Sequence, residues 1–229
     1  MNAMAIPVIT VDGPSGAGKG TVSLILARKL GFHYLDSGAL YRALAVAATR
    51  HQVASDNIEA LAVLAAHMDL SFAMDRDDVE PRVMLEGEDV TRLVRGEDVG
   101  IMASRVAAIP EVRTALLHRQ RAFARAPGLV ADGRDMGTVV FPAAALKVFL
   151  TASSEERARR RYKQLIEKGE TATLAGLVEA VNERDERDRN REVAPLRPAE
   201  GAVQVDSTGR TIEEVVAAIL AVAEEQLTH

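Results

Sequence analysis

Gly13-Pro14-Ser15-Gly16-Ala17-Gly18-Lys19-Gly20-Thr21 is the most chemically specific pattern in the chain. A short apolar run ends just before it and helical periodicity begins inside it. In that context Gly-x4-Gly-Lys forms a phosphate-binding loop. The glycines let successive backbone N–H groups turn inward around phosphate oxygens, and the helix N-terminus adds positive partial charge. Lys19 is expected to reach the β- and γ-phosphates of a bound nucleotide, and to lie on the surface without one. The plainer alternative is a tight glycine-rich turn beside a surface lysine. Gly20 departs from the general pattern, which has a magnesium-holding Ser or Thr directly after the lysine. Direct metal binding by Thr21 is therefore not expected.

Three further stretches carry chemistry-bearing residues. Asp36-Ser37-Gly38-Ala39-Leu40-Tyr41-Arg42 combines a hydroxyl, a flexible turn and a helical arginine. Ala131 to Thr138 places Asp132, Arg134 and Asp135 at the end of an apolar run, where open α/β sheets bind ligands. Glu183 to Arg191 is dense in charge, and Arg184, Asp188 and Arg191, at i, i+4 and i+7, share one helical face. Taken singly, each has an ordinary reading as a loop, a strand end or a solvated helix face. Residues 151–191 nonetheless hold 10 of the 28 Lys and Arg, about twice an even share. Two net −2 phosphate groups about 5 Å apart repel by on the order of 10 kcal/mol at an effective dielectric near 20. Converging arginines, whose planar fork grips phosphate oxygens bidentately, answer that repulsion.

The elements that must position these residues alternate. Strands are predicted at Ile6–Val11, Phe32–Leu35, Leu129–Ala131, Leu146–Leu150 and Val203–Val205, each apolar or nearly so. Helices are predicted from Thr21 to Leu30 with Gly31 as C-cap, from Leu40 to Arg50, and over Leu61–His67. Asp36-Ser37-Gly38 reads as a loop. Two more helices flank Pro110 and stop at Pro127-Gly128. One opens at Ser153-Ser154-Glu155-Glu156 and closes at Gly169, a charged one runs to about Arg191, and a last spans Thr211–Leu227. Ser71–Ala73 and Arg82–Leu85, around the turn Asp75–Asp78, form a small inserted β element. Apolar strands alternating with helices predict an α/β fold with a parallel sheet covered on both faces.

Composition narrows the function classes. The chain has 229 residues, formal net charge −5 and no cysteine, which excludes disulfides, thiolate zinc sites and cysteine nucleophiles. No two of its five histidines are spaced i, i+4, which disfavours a histidine metal site. Eight Phe and Tyr with no Trp, in an acidic chain, argue against nucleic-acid binding. The longest apolar run, Val215–Ala223, is nine residues, against the roughly twenty a membrane span needs. With no basic N-terminal segment the expectation is a cytoplasmic enzyme acting on small molecules, and with no long apolar surface helix evident, a monomer.

Five segments together resemble the bacterial cytidylate kinases of the P-loop nucleoside monophosphate kinase family: Gly13–Thr21, Asp36-Ser37-Gly38, Leu85–Val90, Ala131–Val139 and Arg184–Leu196. They stand in family order across nearly the whole chain. The resemblance implies a P-loop kinase fold, with a five-stranded parallel sheet flanked by helices, a small inserted β element and a helical lid near 153–170. It implies one domain over 1–229: a core at 5–38, 129–152 and 200–229, a monophosphate-binding region at 39–128, and lid and arginine-rich helices at 153–199. It also implies phosphorylation of CMP, and of dCMP, by ATP with Mg²⁺. Gly13, Pro14, Ser15, Gly16, Ala17, Gly18, Lys19, Gly20 and Thr21 would bind ATP. Ser37, Arg42, Arg134, Arg184, Asp188 and Arg191 would hold the acceptor's phosphate and ribose, and Ser104, Arg113 and Asp135 would face cytosine. Lys19, Arg134, Arg184, Arg157 and Arg161 would act on the transferring group. In the lid, Arg157 and Arg161 would swing over ATP, with Arg159 and Arg160 competing for that role. Asp132, or alternatively Asp36, would hold a Mg²⁺-bound water. The rivals are a shikimate or adenylate kinase and a regulatory P-loop ATPase; no Asn-Lys-x-Asp guanine motif supports a switch GTPase.

Overall fold

A computed structural model describes residues 6–73, 81–167 and 169–227. The expected turn at Asp75–Asp78 lies outside them. The chain divides into two compact units, Met1–Leu35 with Ala124–His229, and Asp36–Phe123.

The first unit is built on a five-stranded parallel sheet in the order β2-β6-β1-β7-β8. Its strands are β1 (Val8–Asp12), β2 (His33–Asp36), β6 (Leu129–Gly133), β7 (Leu146–Thr151) and β8 (Val203–Asp206). The central β1 pairs in parallel with β6 (Asp12 opposite Gly133) and with β7 (Asp12 opposite Phe149). Every residue of β1 is buried, as a strand covered on both faces requires. Helices α1 (Lys19–Leu30) and α8 (Ile212–Leu227) pack on the sheet. Leu26, Val215, Val216 and Ile219 close over Ile9, Val11, Val148 and Leu150. Helices α6 (Ser154–Glu167) and α7 (Leu174–Arg189) pack on each other beyond β7.

The second unit holds α2 (Ser37–Arg50), α3 (Ile58–His67), α4 (Glu97–Val106) and α5 (Pro110–Arg121), with Pro110 in the first helical turn. It also carries an antiparallel sheet of β3 (Leu70–Ala73), β4 (Arg82–Leu85) and β5 (Glu88–Asp89). Leu70 faces Leu85 across the first pair, and Phe72 meets Phe123 edge-on at 5.7 Å.

One expectation changes here. Ser37 and Gly38 are not loop residues but the first turn of α2, because the Asp36 carboxylate caps that helix, accepting from the Ala39 N–H at 3.0 Å. After β6, Met136–Val140 forms one π-helical turn.

Candidate active site

In the first unit, the loops following β1, β6, β7 and β8 leave the carboxyl ends of neighbouring strands, where an open parallel sheet offers a ligand site. The β1 loop comes first. At Gly13 φ is +152°, and a Cβ there would run into the Leu150 carbonyl of β7, so only glycine turns the chain off the sheet this closely. Lys19 does not lie on the surface as expected. It is 6% exposed, its Nζ donates to the Pro14 carbonyl at 2.9 Å, and Asp132 Oδ1 stands 4.0 Å away. The loop curls around its own lysine, because a buried ammonium must find acceptors. Across from it, Asp132 Oδ2 and the Tyr34 hydroxyl lie 3.4 and 3.7 Å from where a Gly20 Cβ would be. A carboxylate from β6 thus stands beside the position where the general phosphate loop carries its hydroxyl side chain.

The β7 side contributes α6, whose arginines differ sharply in setting. Arg157 is 4% exposed and fully engaged. Its two terminal nitrogens bridge Asp185 of α7 at 2.9 and 2.5 Å, Nη1 also donates to the Ser15 carbonyl at 3.1 Å, and Nε donates to Ala152. Arg157, expected to swing over ATP, is in this structure a buried tie between α6, α7 and the phosphate loop. Arg160 is tied too, to Glu156, to the Ala17 carbonyl and to Ser207. Arg159 is largely exposed beside Glu156, and Arg161 is half-buried.

The β6 side gathers the predicted acceptor arginines of this unit. Asp188 on α7 is 1% exposed; its Oδ2 accepts from Arg134 Nε at 3.0 Å and its Oδ1 from Arg191 Nη2 at 2.6 Å. Burial by itself would raise the Asp188 carboxyl, but Arg134, Arg191 and Arg184 outweigh it and hold the group below the usual range. One carboxylate thus aims two guanidinium forks, with Arg184 close enough to act on it. Asp135 is 5% exposed, and its backbone carbonyl closes the π-turn by accepting from the Val139 and Val140 N–H groups.

The second unit carries the remaining predicted acceptor residues. Ser37 is buried in the first turn of α2, and Arg42 one turn on donates to the Val94 and Gly96 carbonyls. Arg113 of α5 donates to the Tyr41 hydroxyl and the Ala107 carbonyl, and Ser104 of α4 is half-buried. Among the described residues, no three Asp, Glu or His gather as a metal site, and no helix is long and apolar enough to cross a membrane.

Residues 9–225 match the family model described as cytidylate kinase. The chain belongs to the cytidylate kinase family. It is 64% identical to the cytidylate kinase of Stutzerimonas stutzeri over 94% of each chain. With that of Pseudomonas paraeruginosa it shares 60% over 99% of this chain and 98% of the relative. Among solved structures, an uncharacterized protein from Eubacterium ventriosum has the same fold at TM-score 0.53 and 10% identity, covering 96% of this chain and 98% of the other.

Within this cytidylate kinase family member, three side chains at the site escaped the sequence reading. Asp185 lies in a run of alternating charges, and nothing in the run marks it as Arg157's partner. Ser207, buried after β8, donates to the Ala17 carbonyl at 3.1 Å; its signal was the polar turn Asp206-Ser207-Thr208-Gly209 at a strand end. Asp12 had a clearer signal, a carboxylate closing an otherwise uncharged strand. It is 2% exposed, and its two oxygens accept from the Met136 and Gly137 N–H groups, each at 2.8 Å.

Burial pushes the Asp12 carboxyl up to about 6, against the pull of those two N–H groups and of Lys19, while Asp135 adds to the rise. A carboxyl raised in the fold contributes stability that is complete below its unfolded value of 3.8 and is lost as pH climbs through about 6. Relative to Asp12→Asn, the wild type should lose up to ~3 kcal/mol between about pH 4 and pH 7. Urea unfolding of both proteins across that range measures it. A stability difference that does not change with pH would contradict the raised carboxyl.

Proposed function

We propose that this chain transfers the γ-phosphoryl group of ATP to the 5′-phosphate of CMP, and of dCMP, releasing ADP and CDP or dCDP. The observation that carries this reading is the family match joined to a phosphate loop and a separate arginine cluster aimed by Asp188. A kinase for a neutral hydroxyl needs one basic site and a general base; a second cationic cluster suits an acceptor that is itself a phosphate. Catalysis is then mostly alignment and electrostatic stabilisation, supplied by Lys19, Arg134 and Arg184, joined on the resemblance by Arg161 of α6. Arg157 acts through Ser15 and Asp185 instead.

Mg²⁺ fits the oxygen chemistry beside Gly20: Asp132 would hold it through a bound water, and Asp36 already spends one oxygen as a helix cap. When bound, the ion neutralises charge on the ATP phosphates. On the resemblance, Ser37, Arg42, Ser104 and Arg113 complete the acceptor site. We read residues 1–229 as one catalytic domain, a cytoplasmic monomer that binds neither nucleic acid nor membrane.

A coupled assay with ATP and a panel of nucleoside monophosphates tests the reading, and Asp135→Ala sharpens it. Cytosine presents an N4 amino donor where uracil has an O4 acceptor, and a carboxylate partners the first but repels the second. Because the backbone carbonyl of Asp135 closes the π-turn, truncating its side chain leaves that turn in place. The variant should lose kcat/KM for CMP far more than for UMP, collapsing the preference by at least about tenfold (~1.4 kcal/mol). Equal losses on both substrates would reduce Asp135 to a brace for the strand end.

A further inference from the structure

We propose that Asp12 is a positioning residue for the acceptor nucleotide: its carboxylate grips the Met136–Val140 turn from beneath and thereby sets Arg134 and Asp135. This rests on the acceptor site assigned above. A strand buried on both faces has no packing use for a carboxylate, and the other residues of β1, Val8, Ile9, Thr10 and Val11, carry no charge. Both Asp12 oxygens go to Met136 and Gly137, the first N–H groups of the π-turn, which have no earlier helical carbonyl to bond. The two surfaces also meet without a gap. A Cβ on Gly137 would lie 2.9 Å from Thr10 Oγ1, 3.2 Å from the Ala199 Cβ and 3.3 Å from Asp12 Oδ2.

The consequence follows from connectivity. Arg134 leads into the gripped turn and Asp135 is its N-terminal flank, so a change in the seat of Met136 and Gly137 moves both functional side chains. The guanidinium of Arg134 is held at its far end by Asp188, so its near end is set by the backbone that Asp12 holds. Misplacement by about 1 Å is enough to cost a reaction heavily. Keeping a carboxylate buried at the cost of its raised ionisation fits a group retained for placement, since a neutral residue would serve the core better.

The test compares wild type, Asp12→Asn and Gly137→Ala. The first variant turns one of the two N–H···O contacts into donor facing donor; the second crowds the seat from the other side, with the residues of β1 and of the phosphate loop themselves unchanged. Calorimetry would measure CMP and ATP binding, and amide exchange would follow Met136 and Gly137. Both variants should weaken CMP binding at least about tenfold, keep ATP affinity within about twofold, and speed exchange at the two amides. Unchanged CMP affinity in either folded variant overturns the proposal. So does a proportional loss of CMP and ATP binding with a lowered Tm, or failure of both variants to fold, since Asp12 would then serve the fold alone. A wild type that does not bind CMP would instead overturn the acceptor assignment, while the amide exchange would still read the grip by itself.

Discussion

Lys19→Ala should lower kcat by about 100- to 1,000-fold, roughly 3–4 kcal/mol of transition-state stabilisation, while the protein stays folded. The loop offers mainly backbone N–H groups; Lys19 is its one side-chain cation, and charge on the transferring phosphoryl is spread over oxygens that a mobile ammonium can follow. In the structure the ammonium rests on the Pro14 carbonyl 2.9 Å away, with Asp132 at 4.0 Å, so nucleotide binding must exchange one set of acceptors for another. That exchange is cheap in hydrogen bonds, because the phosphate oxygens are stronger acceptors than a carbonyl. Turnover at saturating ATP and CMP, with a thermal melt to check folding, measures the effect. Retention of more than about a tenth of wild-type turnover would end the case for a transition-state role.

Arg157→Ala should destabilise the protein by about 3–5 kcal/mol, the usual consequence of leaving one partner of a buried ion pair behind. Asp185 is 3% exposed, and once the bidentate guanidinium is gone it keeps an ion pair with Arg189, 3.7 Å away and itself largely exposed. The Ser15 and Ala152 carbonyls lose a donor in the same step. Arg157→Lys should recover little, since an ammonium cannot span both carboxylate oxygens and two carbonyls. Replacing both members, Arg157→Met with Asp185→Leu, should regain most of the stability because no buried charge is then stranded. Urea unfolding of the four proteins separates the two roles considered for Arg157. A swinging ATP contact would raise KM for ATP and leave the unfolding midpoint unmoved.

Much of this protein was legible as a string of residues, wherever the governing interaction is local. The phosphate loop is written in consecutive residues because its function is a backbone path, and glycine positions dictate that path directly. The inner strands β1, β6 and β7 appear as short apolar runs because both of their faces are buried, while the edge strands β2 and β8 are partly exposed and show only a shorter apolar signal. Arg184, Asp188 and Arg191 could be placed on one face because helical periodicity is also local. Even the missed start of α2 had a local cause, since Asp36 caps it within three residues.

What could not be read there depends on pairs distant along the chain. Arg157 and Arg161 look equivalent at i, i+4, but only the packing of α6 on α7 brings Asp185, 28 residues away, against the first. That contact turns a supposed lid cation into a buried tie. Lys19 looks like a surface lysine until the loop closes over it. Asp12 looks like the end of a strand until β6, paired in register with β1, delivers Met136 and Gly137 to its carboxylate across more than a hundred residues. In each case the side chain's identity is local, but its solvation and partners belong to the assembled sheet, and those set its charge state, its mobility and its role.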